Sequence, residues 1–207
     1  MNYQSYWCGG MGLHESQLKQ IQDIIVNNNV KTIVEFGSGQ STRFLCDLRE
    51  EKSFDYQIYS FDHHPQYCYK GEHEFLHSNR LDLVCCDDES FNAMFENKLY
   101  NESAFVNCQG EKDNFRLKNG FYDMNEHDLP NDIDLVILDG PNGNGRSISY
   151  LHLKNRVSRG CNILIDDSDH YDFVERCSQI FDTEVLAHVN NPQIHPLFNY
   201  AIVRVSR

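Results

Sequence analysis

Short apolar runs that end in acidic residues alternate along this chain with stretches whose apolar residues recur at helical spacing. Thr32, Ile33 and Val34 make the first run, too short for a helix and suited to a strand buried on both faces, with Glu35 at its end. Tyr56–Asp62 (YQIYSFD), Leu81–Cys86 (LDLVCC), Ile133–Asp139 (IDLVILD) and Cys161–Asp167 (CNILIDD) repeat the pattern, and Ile133–Asp139 is the most apolar of them. Glu184–Val189 and Phe198–Val205 read as a closing hairpin across the NNPQIHP loop. His14–Asn28 carries Leu18, Ile21 and Ile25 at helical spacing, which predicts an amphipathic helix laid on a sheet. Further helices are expected to begin at Arg43–Leu48 and to cover Ser147–Val157 and Tyr171–Phe181. Strands alternating with helices predict an α/β fold about a mostly parallel sheet.

Two stretches escape this rhythm. Residues 1–13 are irregular and end in WCGGMGL, a flexible leader or a lid over a ligand; with the first helix they make an N-terminal segment, 1–29. Residues 91–132 lose apolar periodicity and predict a weak helix followed by an insertion near the site. Within it Asn119–Asp123 (NGFYD) reads as a short strand packing an aromatic pair, with no chemical role attached.

The turn after the first strand, Gly37-Ser38-Gly39, allows backbone angles closed to other residues, and Ser41 and Thr42 stand ready to cap the helix behind it. It is either an ordinary strand-to-helix turn or a place where a ligand approaches the main chain. It lacks the third glycine of the dinucleotide fingerprint, with Ser41 near that place. Asp62, followed by His63, His64 and Pro65, stands where nucleoside-binding α/β folds place the acid that accepts ribose hydroxyls, about 20 residues beyond the glycine turn. Its other reading is a turn cap. Asp87 and Asp88, after Leu81–Cys86, either touch an adenine amino group or form solvated surface.

At 207 residues, 40% of them hydrophobic, the chain is most economically one domain, 1–207. Eighteen Lys and Arg against thirty-one Asp and Glu give a net charge of −13, which disfavours a nucleic-acid partner. The eight cysteines, at positions 8, 46, 68, 85, 86, 108, 161 and 177, show no CxxC spacing and read as reduced core residues of a cytoplasmic protein. There is no signal-like N-terminus and no apolar run approaching the roughly 20 residues of a membrane span, so no membrane partner is expected.

In a parallel sheet the acids that end these runs gather on one edge. Asp139 and the Asp166–Asp167 pair are one crossover apart, and carboxylates so grouped suit Mg²⁺, Mn²⁺ or Ca²⁺ rather than zinc; the alternative is that Asp167 and Ser168 cap the next helix while Asp139 shapes the glycine turn. The lack of a nearby lysine favours the metal.

EFGSGQST, the acid Asp62, DLVILDGP and the IDD ending together resemble the ordered motifs of the class I S-adenosylmethionine-dependent methyltransferases, over most of residues 14–207. The resemblance implies a Rossmann-like three-layer sandwich with a seven-stranded, mostly parallel sheet whose last strand is antiparallel. It also implies that Glu35, Gly37, Ser38 and Gly39 form the turn beside the methionine part of the cofactor, with Ser41 and Thr42 nearby. Asp62, with His63 beside it, would hold the ribose, and Asp87 and Asp139 would complete the cofactor's surroundings. Among subfamilies the divalent-metal-dependent small-molecule O-methyltransferases, including those that act on sugars, are most similar, which implies Asp139, Asp166 and Asp167 as metal ligands.

Two departures leave the general base unassigned by similarity. Asn142 stands where catechol-type enzymes have a lysine, and Pro141 where sugar-modifying relatives have an acid. His170, or else Asp169, is the expected base for the acceptor hydroxyl. The expected activity is metal-assisted O-methylation of a sugar or glycan end. A metal-free or N-directed methyltransferase and a non-catalytic cofactor-binding or scaffold protein are the rivals.

Overall fold

The computed structural model describes residues 2–6, 12–108, 118–125, 128–190 and 199–206. The leader residues 7–11, parts of the 91–132 stretch and the loop joining the final hairpin lie outside these. Strands β1 (Thr32–Phe36), β2 (Gln57–Asp62), β3 (Leu76–Arg80), β7 (Ile133–Leu138), β8 (Val157–Asp166), β9 (Thr183–Asn190) and β10 (Asn199–Val205) form one sheet in the order β3-β2-β1-β7-β8-β10-β9. Only β10 runs against its neighbours, so the expected mostly parallel, seven-stranded architecture with a reversed last strand is present. The near-continuous apolar runs of β1, β7 and β8 follow from burial on both faces. Val34, Phe36, Val136, Leu138, Ile163 and Ile165 enter one core, whereas Ile33, Leu135, Ile137 and Leu164 enter the other.

Helices α1 (Glu15–Asn28) and α2 (Gln40–Lys52) cover the second core. His14 caps α1 by accepting from the Ser16 amide, while Gln17 Oε1 accepts from the His14 amide at 2.7 Å. Left-handed Asn29 then ends the helix. Helices α3 (Asp88–Asn97), α4 (Ser149–Leu153) and α5 (Phe173–Ile180) pack on the other core.

Two expectations are corrected. The third strand of the main sheet is β3, not Leu81–Cys86; β3 lies at the sheet edge with mostly exposed side chains and so carries no apolar signal. Leu83–Cys85 is instead β4, the centre of a small antiparallel sheet with β5 (Val106–Asn107) and β6 (Gly120–Tyr122). The helix expected over Ser147–Val157 is a 3-10 turn, Asn144–Ile148, followed by the short α4, and Val157 already pairs with Ile133.

Candidate active site

The site lies at the carboxyl ends of the parallel strands, where the strand order reverses between β1 and β7. A cavity of about 1000 Å³ opens there. One side is the β1–α2 turn with Asp62, and the other holds Asp139, Asp166 and Asp167. The connection from β2 to β3 adds His63, Gln66, Tyr67, Cys68, Tyr69 and Lys70 to the wall.

The turn is fixed by backbone crowding and by a buried hydroxyl network. Gly37 has φ +98°, and a Cβ there would lie 2.8 Å from the Gly140 nitrogen. A side chain at this position is excluded on both counts. Below the turn Glu35 is fully buried, and its Oε2 accepts from Thr42 and, at 2.8 Å, from Ser60, its register partner on β2. Thr42 Oγ1 in turn accepts from the Gly39 amide at 3.0 Å. Burial raises the Glu35 carboxyl, with opposing hydrogen bonds from Ser41, Thr42 and Ser60. Glu35 and Thr42 therefore support the turn from beneath, and neither lines the cavity beside which both are expected. Gly37, Ser38, Gly39 and Ser41 do line it.

Asp62 is 5% exposed and held by one amide on each oxygen: Ser38 N to Oδ2 at 3.0 Å and His64 N to Oδ1 at 2.6 Å. Burial raises its carboxyl, and the same cause lowers the neighbouring His63 imidazole. Fixed in this way, Asp62 lies at the cavity wall.

Asp87 is not in this cavity; its Oδ1 accepts from the Ser90 amide at 2.7 Å as the N-cap of α3, which holds its carboxyl below the ordinary range. Its displacement follows from the placement of β4 in the accessory sheet.

On the opposite side Asp139 and Asp166 are hydrogen-bonded to each other. Burial, then the Asp166 charge, drives the Asp139 carboxyl well up. Asp166 is raised chiefly by burial and then by Asp167. Its Oδ1 also accepts from Gln17 Nε2 at 2.6 Å, a contact that ties α1 to the end of β8.

The positive charge that sequence reasoning found missing is Arg146, 2% exposed beneath these acids. Its guanidinium donates to the carbonyls of Asp166 (2.8 Å), Pro141 (3.1 Å) and Asp139 (3.1 Å), and lies 3.6 Å from Asp167 Oδ2. Asp167 is thereby drawn toward Arg146. Among the described residues no three His, Cys, Asp or Glu side chains stand together in a metal-holding group.

Asp169 and His170 do not line the cavity. Asp169 binds His188 Nε2 at 2.9 Å and Asn190 Nδ2 at 2.7 Å, and His170 Nδ1 lies 3.6 Å from Asp167 Oδ1. Tyr122 and Arg146 were not singled out by sequence reasoning. NGFYD, with a glycine before paired aromatics, was the only signal for the first, and nothing distinguished the second from a surface charge.

A sequence profile described as a methyltransferase domain matches residues 34–168, from within β1 to just beyond β8. The chain belongs to this methyltransferase family. No curated protein matches it in sequence. Among solved structures it is similar to a putative caffeoyl-CoA O-methyltransferase from Staphylococcus aureus, at 12% identity and a TM-score of 0.51, covering 94% of this chain and 85% of that one. An O-methyltransferase from Bacillus cereus in complex with SAH is similar at 10% identity and a TM-score of 0.50, covering 95% and 84%. A precorrin-6y methyltransferase from Geobacter metallireducens gives 12% identity and a TM-score of 0.50, covering 97% and 93%. At these identities the likeness is one of fold, and it extends across methyltransferases with different acceptors. Among the described residues no helix is long and apolar enough to cross a membrane.

Proposed function

We propose that this methyltransferase uses S-adenosylmethionine to methylate a hydroxyl of a small polyhydroxylated acceptor, a sugar or glycan end. The observation that carries the reading is a single cavity joining the glycine turn and Asp62 to the Asp139–Asp166–Asp167 cluster, with a volume of about 1000 Å³. That is the upper end of the range for small-molecule sites, room for a nucleoside-bearing donor and a compact acceptor together. The SAH in the Bacillus cereus structure supports the choice of donor.

In this reading Gly37 and Gly39 admit the methionine part of the donor close to the main chain, and Asp62 accepts from the ribose hydroxyls. The acceptor hydroxyl lies against Asp139 and Asp166, whose proton affinity burial raises, the direction general-base work calls for. Methyl transfer needs acceptor oxygen, methyl carbon and sulfonium in line, so the residues contribute chiefly by positioning.

A divalent cation is part of the proposal. The donor set is all carboxylate oxygen and suits Mg²⁺ or Mn²⁺, which Asp139 and Asp166 would hold with Asp167 beside them. Such an ion would supply positive charge that raises the acidity of a bound hydroxyl. Arg146 favours a second, metal-free reading, because it already places a cation against the same acids.

Transfer of labelled methyl from S-adenosylmethionine to a panel of monosaccharides and short glycans, with EDTA and with Mg²⁺ or Mn²⁺ restored, separates the readings. The proposal expects a labelled sugar, lost with chelator and recovered with metal. Labelling indifferent to EDTA would remove the metal, and labelling of amines but no sugar would remove the acceptor class.

A further inference from the structure

Tyr122 is the one aromatic residue that the accessory sheet contributes to the cavity wall among the described residues. Its placement is tightly built. On β6, Gly120 packs against Gly145 so closely that a Cβ on Gly145 would fall 2.0 Å from the Gly120 oxygen, and the Gly145 amide donates to the Lys118 carbonyl at 2.9 Å. The Tyr122 ring stacks on Phe36 with centroids 6.1 Å apart, and the His63 ring lies 6.1 Å away. These contacts drive the phenol under Gly140, where a Cβ would come within 2.7 Å of its oxygen.

The hydroxyl reached by this construction is fully buried and has no hydrogen-bond partner among the described residues. A buried polar atom left unpaired costs about 1–3 kcal/mol, and packing alone is served as well by phenylalanine. Burial together with Asp62 raises the phenol well above its ordinary range, so it keeps its proton and can donate. The group therefore suits a ligand atom that can hydrogen-bond a neutral hydroxyl. Its position favours the methyl donor over the acceptor: Phe36 directly precedes the glycine turn, His63 directly follows Asp62, and Asp62 is the acid that acts on Tyr122 most strongly.

We propose that the Tyr122 hydroxyl binds the methyl donor, hydrogen-bonding a polar atom of the span between the Asp62 and Asp139 ends of the cavity. This rests on the reading of the cavity as a methyl-donor site. It gives the accessory sheet a role in cofactor binding, by carrying one donor-binding residue to the floor of the main sheet.

The test is calorimetric titration of wild type and Tyr122→Phe with S-adenosylhomocysteine, together with thermal unfolding of both proteins without ligand. The inference expects roughly tenfold weaker binding by the variant, a neutral hydrogen bond's worth, and unliganded unfolding no lower than wild type. Equal affinity of the two proteins overturns the inference alone. Weaker binding accompanied by a clear loss of unliganded stability also overturns it, making Tyr122 a packing residue. Failure of wild type to bind overturns the donor reading itself.

Discussion

Gly37 and Gly140 touch backbone to backbone: a Cβ on the first would stand 2.8 Å from the nitrogen of the second, and a Cβ on the second 2.9 Å from the Cα of the first. This contact brings the end of β1 against the end of β7 and defines the floor on which a ligand would rest. Gly37→Ala adds a methyl group where φ is +98° and no space exists. It should cost about 1–3 kcal/mol of stability from the backbone conformation alone, more from the clash. Urea unfolding of the variant checks the stability, and calorimetry with S-adenosylhomocysteine should show donor binding weakened at least about tenfold.

Arg146 holds three carbonyls on two strand ends, so its loss should be felt as loss of structure before loss of chemistry. Arg146→Met orphans the carbonyl oxygens of Asp139, Pro141 and Asp166 and leaves Asp167 without its cation. A destabilisation of about 3 kcal/mol or more is expected. Thermal unfolding of Arg146→Met beside Arg146→Lys measures it, and the lysine variant should recover only part, because an ammonium cannot span three acceptors in the guanidinium geometry.

The buried acids give stability a direction in pH. Folding raises the Glu35, Asp139 and Asp166 carboxyls, each chiefly through burial, so the folded state binds more protons than the unfolded chain. Their contribution is whole below the unfolded carboxylate range near about 4 and is lost as pH rises through the folded values. Glu35→Gln removes one of these groups. Unfolding free energies measured from pH 5 to pH 8 should fall less steeply for the variant than for wild type, and parallel curves would show that Glu35 is not held protonated.

His170 stands outside the cavity wall and beside Asp167, and Asp169 is engaged by His188 and Asn190. His170→Ala should therefore keep turnover within about threefold of wild type at saturating substrate, a change under 1 kcal/mol in barrier. Asp166→Asn, by contrast, should lower kcat by about two orders of magnitude, in the range for a positioned acid–base group. A kcat for His170→Ala as low as that of Asp166→Asn would return the proton to the histidine.

What was legible in the chain was what burial on both faces writes into it. β1, β7 and β8 carry apolar residues at successive positions because each faces a core on both sides, and the acids after them mark the sheet edge where the cavity opens. β3 was invisible because an edge strand with exposed side chains needs no apolar run, whereas Leu83 and Val84 looked like a sheet strand because the accessory sheet buries them. The runs place Asp139, Asp166 and Asp167 at one edge, where all three line the cavity, but nothing in them points to the cation beneath. Arg146 reaches Asp166 across 20 residues, and sequence spacing carries no information about a side chain turned inward from a 3-10 turn.

The cavity between Asp62 and Asp139 is proposed to hold the methyl donor. Isothermal titration of the wild-type chain and of Asp62→Ala with S-adenosylhomocysteine tests it most directly. One site per chain is expected in wild type, with at least about a tenfold loss of affinity in the variant, the amount expected from removing a charged acceptor for ribose hydroxyls. Absence of binding heat in wild type across temperatures, or equal affinity in the two proteins, would contradict it.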